Sequence, residues 1–317
     1  MVTTFNPLRP VSESRGKILV IRGGAIGDFI LTLPVLAALR DRLPTARIEV
    51  LGYRHIAQLA VEASLAEEVR SIEARALAGF FARNGELAGE LRDYFSGFAI
   101  ILSYLYDPDG LFQSNVARCS RAQFIVGPHR PDESADTHAT EVFLKPLERL
   151  AIFDADPVPK LSLLSRSANP ARLLAVHPGS GGEQKNWPEG KWAEFLRLLA
   201  DTTEEGLLLV GGEAEGERLE RLARCLPRAR IEIARSLPLS DLARRLAECV
   251  GFVGHDSGIS HLAAAVGIPV LALWNKTSEA VWRPRGQKVS VLRNPGGLAE
   301  LQPGRALGEL KSLLARS

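Results

Sequence analysis

A chain of 317 residues is long for one compact domain and comfortable for two. Its 46% hydrophobic and 24% charged residues are those of an ordinary globular protein. The 39 Lys and Arg against 37 Asp and Glu leave a net charge of +2, without the concentrated basicity that a nucleic-acid partner calls for. The three cysteines, Cys119, Cys225 and Cys249, are widely spaced with no C-x-x-C pair, which argues against a disulfide framework or a zinc site and for a reducing cytoplasm. No segment approaches the ~18 unbroken apolar residues of a membrane span, and the first fifteen residues have no apolar core of the signal-peptide kind. Contact with a membrane surface through a local patch stays open.

In chain order, residues 1–16 read as a loose arm and Lys17–Ile21 as a short β-rich run. The turn Gly23-Gly24-Ala25-Ile26-Gly27 follows, then a helical stretch from about Asp28 to Leu43. Pro34 should kink that stretch or mark where a regular second part begins. Ile48–Leu51 is the next strand, 56–95 reads mostly as helices with short breaks, and Phe98–Leu102 and Gln123–Val126 are strands. Residues 138–152 look helical. Pro157, Pro159 and Pro170 among Ser and Asp mark 154–171 as a linker. A second series follows: a strand at Leu173–Val176, a helix at 188–201, a strand at Leu207–Val210, helices at 213–226 and 239–248, the buried run Cys249–Val253, a short helix ending at Gly267, and the strand Pro269–Trp274. Residues 306–315 form an amphipathic helix candidate. Strand and helix in alternation, twice over, predict two Rossmann-like halves with parallel sheets whose C-terminal edges face across a cleft. The division is set at 1–160, 161–300 and a C-terminal helix over 301–317 that packs back on the first half.

The chemistry-bearing residues sit just after strands. Asp28 opens a helix beside the glycine turn, whose Gly24 and Gly27 let a ligand approach the backbone closely. It is either a helix cap or a general base at the cleft mouth. The glycines lack the full G-x-G-x-x-G spacing and so speak weakly for a dinucleotide. His177-Pro178-Gly179-Ser180-Gly181-Gly182, with Lys185 soon after, suits a phosphate or is a surface loop with a solvated lysine. Glu213, at the end of a strand, can accept from ribose hydroxyls or cap the next helix. Gly254-His255-Asp256-Ser257-Gly258 runs from strand into helix and aims backbone N–H groups and the positive end of a helix dipole at one point, an anion site. His261 lines that site or is simply packed. Asp107-Pro108-Asp109 matches the D-x-D pattern of metal-dependent sugar transferases but reads more simply as a turn. Most of Tyr94, Phe95, Phe98, Tyr104, Tyr106 and Phe112 should be core, a few remaining for an acceptor or lipid-facing patch.

Four of these pieces in this order resemble glycosyltransferase family 9, the bacterial heptosyltransferases of the lipopolysaccharide inner core. They are Arg22-Gly23-Gly24-Ala25-Ile26-Gly27-Asp28 with Thr32-Leu33-Pro34, His177-Pro178-Gly179-Ser180 with Lys185-Asn186-Trp187-Pro188, Gly211-Gly212-Glu213, and His255-Asp256-Ser257-Gly258 with His261-Leu262-Ala263-Ala264-Ala265. The similarity runs from 17 to about 275, with 55–170 divergent and the chain somewhat short. The resemblance implies an α/β GT-B fold, an acceptor-binding first half and a donor-binding second half. It further implies inverting, metal-independent transfer from a nucleotide sugar, typically ADP-heptose, with no other cofactor. Carried over by position, Asp28 matches the catalytic base, Ser180 and Lys185 the phosphate contacts, Glu213 the nucleoside contact, and Asp256, Ser257, Gly258 and His261 the donor pocket. The partners implied are the donor and a glycan or lipid-linked glycan acceptor, with a cytoplasmic location at the inner face of the membrane. A sugar-nucleotide epimerase, a nicotinamide-dependent dehydrogenase and a non-catalytic sugar-nucleotide module are the competing classes.

Overall fold

The computed structural model describes residues 16–163 and 172–316; the arm expected before residue 16 and the part of the expected linker at 164–171 lie outside them. Continuous apolar runs become strands buried on both faces, as parallel sheets require. In the first lobe β1 (Lys17–Arg22), β2 (Arg47–Gly52), β3 (Glu68–Ser71), β4 (Ile100–Ser103) and β5 (Gln123–Val126) form a parallel sheet in the order β3-β2-β1-β4-β5. Helices α1 (Ile26–Ile30), α2 (Leu33–Arg42), α3 (Arg54–Glu62), α4 (Gly89–Ser96), α5 (Leu111–Ala117) and α6 (Ala139–Leu144) cover it. In the second lobe β6 (Leu173–His177), β7 (Gly206–Gly211), β8 (Ile231–Arg235), β9 (Gly251–His255), β10 (Val270–Trp274) and β11 (Val289–Arg293) run parallel in the order β11-β10-β9-β6-β7-β8. Its helices are α7 (Glu189–Thr202), α8 (Arg218–Ala223), α9 (Leu239–Ala247), α10 (Gly258–Ala265), α11 (Glu279–Trp282) and α12 (Pro303–Ala315).

Each sheet reverses its winding once, between β1 and β4 and between β6 and β9. A crevice opens outside the carboxyl ends of the strands at such a switch point, so the loops after β1, β6 and β9 are where a ligand belongs. The apolar core between the sheets is continuous across the lobes: Ile18, Val20 and Val50 belong to the same buried cluster as Ala175, Phe252 and Val270. Polar contacts also cross it. The His138 imidazole donates from Nε2 to the Arg283 carbonyl (2.9 Å), Arg285 donates to Thr140 Oγ (3.1 Å), and Arg244 of α9 pairs with Glu62 of α3.

Of the two outcomes expected at Pro34 the second holds: α1 ends at Ile30 and α2 begins at Leu33, so Pro34 opens a regular second part from a first turn, where no N–H is missed. Other expectations need correction. The stretch 56–95 contains strand β3, whose sequence Glu-Val-Arg-Ser is too charged to signal a strand because it lies at a sheet edge. The stretch 213–226 is a 3-10 turn at Glu213–Glu215 followed by α8. The final helix does not return to the first lobe. Leu307, Leu310 and Leu313 of α12 share a buried cluster with Trp192, Phe195 and Leu199 of α7, on the outer face of the second sheet.

Candidate active site

The turn after β1 is built around Asp28. Its Oδ2 accepts the Ala25 N–H (2.9 Å), which satisfies one of the free amides that open α1. Gly24 takes φ +98° and lies so close that a Cβ there would stand 2.6 Å from Asp28 Oδ2, so glycine is required on both counts. Behind Asp28 the Arg22 guanidinium is almost wholly buried, 4.4 Å from the Phe143 ring centroid. It donates to the His129 carbonyl (2.9 Å) and the Asp28 carbonyl (3.4 Å), and its Nη2 lies 3.6 Å from Asp28 Oδ1. The carboxylate is thus a helix cap and a cleft residue at once; its side chain remains 29% exposed.

The loop between β6 and α7 is riveted by a histidine. His255 Nε2 accepts the Trp187 N–H (2.8 Å), so its proton sits on Nδ1 and faces the Gly179 carbonyl (3.2 Å). Burial holds the ring neutral, with its pKa pushed down to about 3. Within the loop the Ser180 hydroxyl is shared between Asn186 Oδ1 (2.7 Å) and the Gly182 carbonyl (2.9 Å). Lys185 leaves the loop toward the cleft, where its ammonium meets Asp256 Oδ2 at 2.6 Å; the Thr277 hydroxyl donates to the same oxygen. Ser257 caps α10, its hydroxyl accepting the Ser260 N–H (3.4 Å). One turn on, His261 is buried and neutral, its pKa pushed down to about 4 by desolvation.

These loops meet because α1 and α10, from opposite lobes, touch end to end. A Cβ on Gly258 would stand 2.7 Å from Ile26 Cβ and 2.9 Å from the Gly27 nitrogen; one on Gly27 would meet His261 Cδ2 at 3.4 Å. Gly27 and Gly258 therefore serve the approach of one lobe to the other. The cleft at this junction measures about 260 Å³ and is lined by Gly27, Asp28, Lys185, Asp256, Ser257, Gly258 and His261. Ser180 contributes to it only through its neighbour Gly181, and Glu213 stands exposed after β7, outside the lining. Arg130, Thr277 and Trp282 also line it, beside Ala25 and Leu31 of the first lobe. Arg130 and Thr277 follow strands legible in the sequence, β5 and β10, and that position was the signal available for them; Trp282 ends α11 and carried none. A larger hollow of about 480 Å³ lies at the opposite end of α10, against residues 156–162. There the helix presents carbonyls, so its dipole disfavours an anion.

The arrangement sets an acceptor-only carboxylate on one lobe opposite an ammonium, a capped helix N-terminus and a glycine loop on the other. Asp107 of the D-x-D turn instead caps α5, accepting the Phe112 and Gln113 N–H groups (3.1 and 3.0 Å). Among the described residues no group of three or more His, Cys, Asp and Glu could hold a metal ion.

A model of glycosyltransferase family 9 (heptosyltransferase) matches residues 153–307. Lipopolysaccharide heptosyltransferase 1 of Escherichia coli K12 is 34% identical over 132 residues, 41% of each chain. The alignments with the first three curated relatives span 34%, 41% and 54% of those proteins' lengths. Among solved structures, a family 9 glycosyl transferase from Veillonella parvula superposes with a TM-score of 0.78 at 18% identity, over 95% of this chain and 98% of its own. An E. coli heptosyltransferase solved with ADP superposes at 0.74 and 20% identity, over 94% and 99%. These likenesses establish the two-lobed GT-B fold.

Proposed function

We propose that this chain is a heptosyltransferase-like member of glycosyltransferase family 9 that transfers a heptosyl group from ADP-heptose to a hydroxyl of a lipopolysaccharide-core or related glycan. The observation that carries the reading is the single cleft shared by Asp28 of one lobe and Lys185 with the N-terminus of α10 of the other. Asp28 removes the acceptor proton as the new C–O bond forms at the anomeric carbon, a contribution of roughly 10²–10⁴ in rate. The bond from that carbon to the diphosphate oxygen breaks, its electron pair leaving with ADP. Lys185, the loop around Ser180 and the amides of Ser257 and Gly258 stabilise the departing charge. Attack from the face opposite the leaving group inverts the centre and needs neither a metal nor another cofactor. A cleft of about 260 Å³ is below the roughly 300–1,000 Å³ of most small-molecule sites. The nucleoside therefore extends beyond it, toward the end of β7 and Glu213.

No helix among the described residues is long and apolar enough to cross a membrane. The reading places the enzyme in the cytoplasm, meeting a lipid-linked acceptor at the inner face of the membrane. The test is product analysis by mass spectrometry after incubation with ADP-heptose and a heptose-free core acceptor in excess EDTA. Heptosylated acceptor and free ADP are expected. An altered donor without acceptor modification points to an epimerase instead, and strict dependence on added manganese refutes the metal-free mechanism.

A further inference from the structure

The aromatic residues of the first lobe divide sharply. Phe95, Phe98, Tyr104 and Phe112 are buried, and Tyr94 packs edge-on against Phe98 at 4.9 Å, whereas Tyr106 is 70% exposed. A lone exposed aromatic needs no explanation. Tyr106 is not alone. Its ring centroid lies 4.7 Å from that of His129, which is also exposed. Each stands three residues past a strand, Tyr106 after β4 and His129 after β5, and these strands are neighbours at the carboxyl edge of the sheet. The next strand over is β1, whose loop carries Asp28. One buried side chain ties the two places together: Arg22 donates to the His129 carbonyl (2.9 Å) and to the Asp28 carbonyl (3.4 Å). Arg130, directly after His129, lines the cleft.

We propose that Tyr106, its ring braced by the His129 imidazole inclined at 59° to it, is the stacking platform for a pyranose ring of the acceptor glycan, the sugar that presents its hydroxyl to Asp28. A pyranose has one face of C–H bonds and a rim of hydroxyls. An aromatic face takes the first and leaves the second free to reach a base. The platform sits beside the switch point, on the lobe that carries the base, and clear of the diphosphate site on the opposite lobe. The backbone clamp from Arg22 keeps it at a constant offset from Asp28 whatever the second lobe does. This subsite rests on the reading of Asp28 as the base.

The test uses a heptose-free core oligosaccharide, freed of lipid, as the probe in saturation-transfer NMR with the full-length protein, and ADP titration by calorimetry beside it. Wild type and Tyr106→Trp are expected to transfer saturation to the C–H protons of one ring. Tyr106→Ala and His129→Ala should weaken the interaction about tenfold, with ADP affinity within about twofold of wild type. Equal signals from wild type and Tyr106→Ala, or no signal from wild type, overturn the platform. Binding that depends on Tyr106 in an enzyme that fails to transfer heptose refutes the proposed function and leaves the platform standing.

Discussion

Gly258→Ala isolates the contact between lobes from the chemistry beside it. The added Cβ would lie 2.7 Å from Ile26 Cβ and 2.9 Å from the Gly27 nitrogen, where ordinary contacts begin at 3.4 Å. Neither atom can be moved by a change of rotamer, so α1 must retreat by about 0.7 Å (3.4 − 2.7). Asp28 lies two residues past Ile26 in the same helix and moves with it. A displacement near 1 Å costs about 10² in rate when reacting atoms are otherwise aligned, so kcat should fall roughly ten- to a hundredfold. The strain of overpacking should cost about 1–3 kcal/mol of stability. The amide of residue 258 survives the substitution, so ADP binding measured by calorimetry should stay within about threefold. Turnover assays on the same preparation, with the thermal midpoint as a control for folding, give the split between kcat and affinity. A folded variant with wild-type turnover refutes the reasoning. So does one that loses ADP affinity while keeping kcat, since the added Cβ would then act on the diphosphate site and not on Asp28.

Asp28→Asn keeps an acceptor for the Ala25 N–H but no basic carboxylate; turnover should drop by about 10²–10⁴ with ADP affinity unchanged, and near-normal turnover removes Asp28 from the mechanism. Lys185→Ala should weaken ADP by roughly tenfold or more, the worth of one charged hydrogen bond, and an unchanged calorimetric affinity counts against the phosphate role. Burial holds His138, His177 and His261 near pKa 4 and His255 near 3, against about 6.5 unfolded. Between those values the unfolded chain binds the extra protons. Stability should therefore be level above about pH 6.5 and fall below it, by up to about 1.4 kcal/mol per pH unit for each histidine. Urea midpoints that stay flat from pH 6.5 to 5 contradict this.

Strand-forming runs such as Leu-Leu-Ala-Val-His at β6 and Val-Leu-Ala-Leu-Trp at β10 were legible because a strand buried on both faces needs no partner to declare itself. The strands that escaped, β3, β8 and β11, lie at or near sheet edges, where half the surface is wet and the residues alternate in character. The site followed the same rule. Asp28, Lys185, Asp256 and Ser257 line one cleft because each follows a strand in a polar turn, at the carboxyl edge of one sheet or the other. Position in the chain does not report how a side chain's hydrogen bonds are divided. The Ser180 hydroxyl spends itself inside its own loop, and Glu213 stands outside the cleft.

The sequence by itself therefore determined two parallel α/β lobes and the polar loops that come to line the cleft, because hydrophobic periodicity and turn residues are local properties. Tertiary structure alone decided which glycines face the other lobe, that His255 fastens a loop 68 positions away, and that α12 lies on the second sheet. Those outcomes depend on contacts between residues far apart in the chain, whose geometry exists only once both sheets have formed.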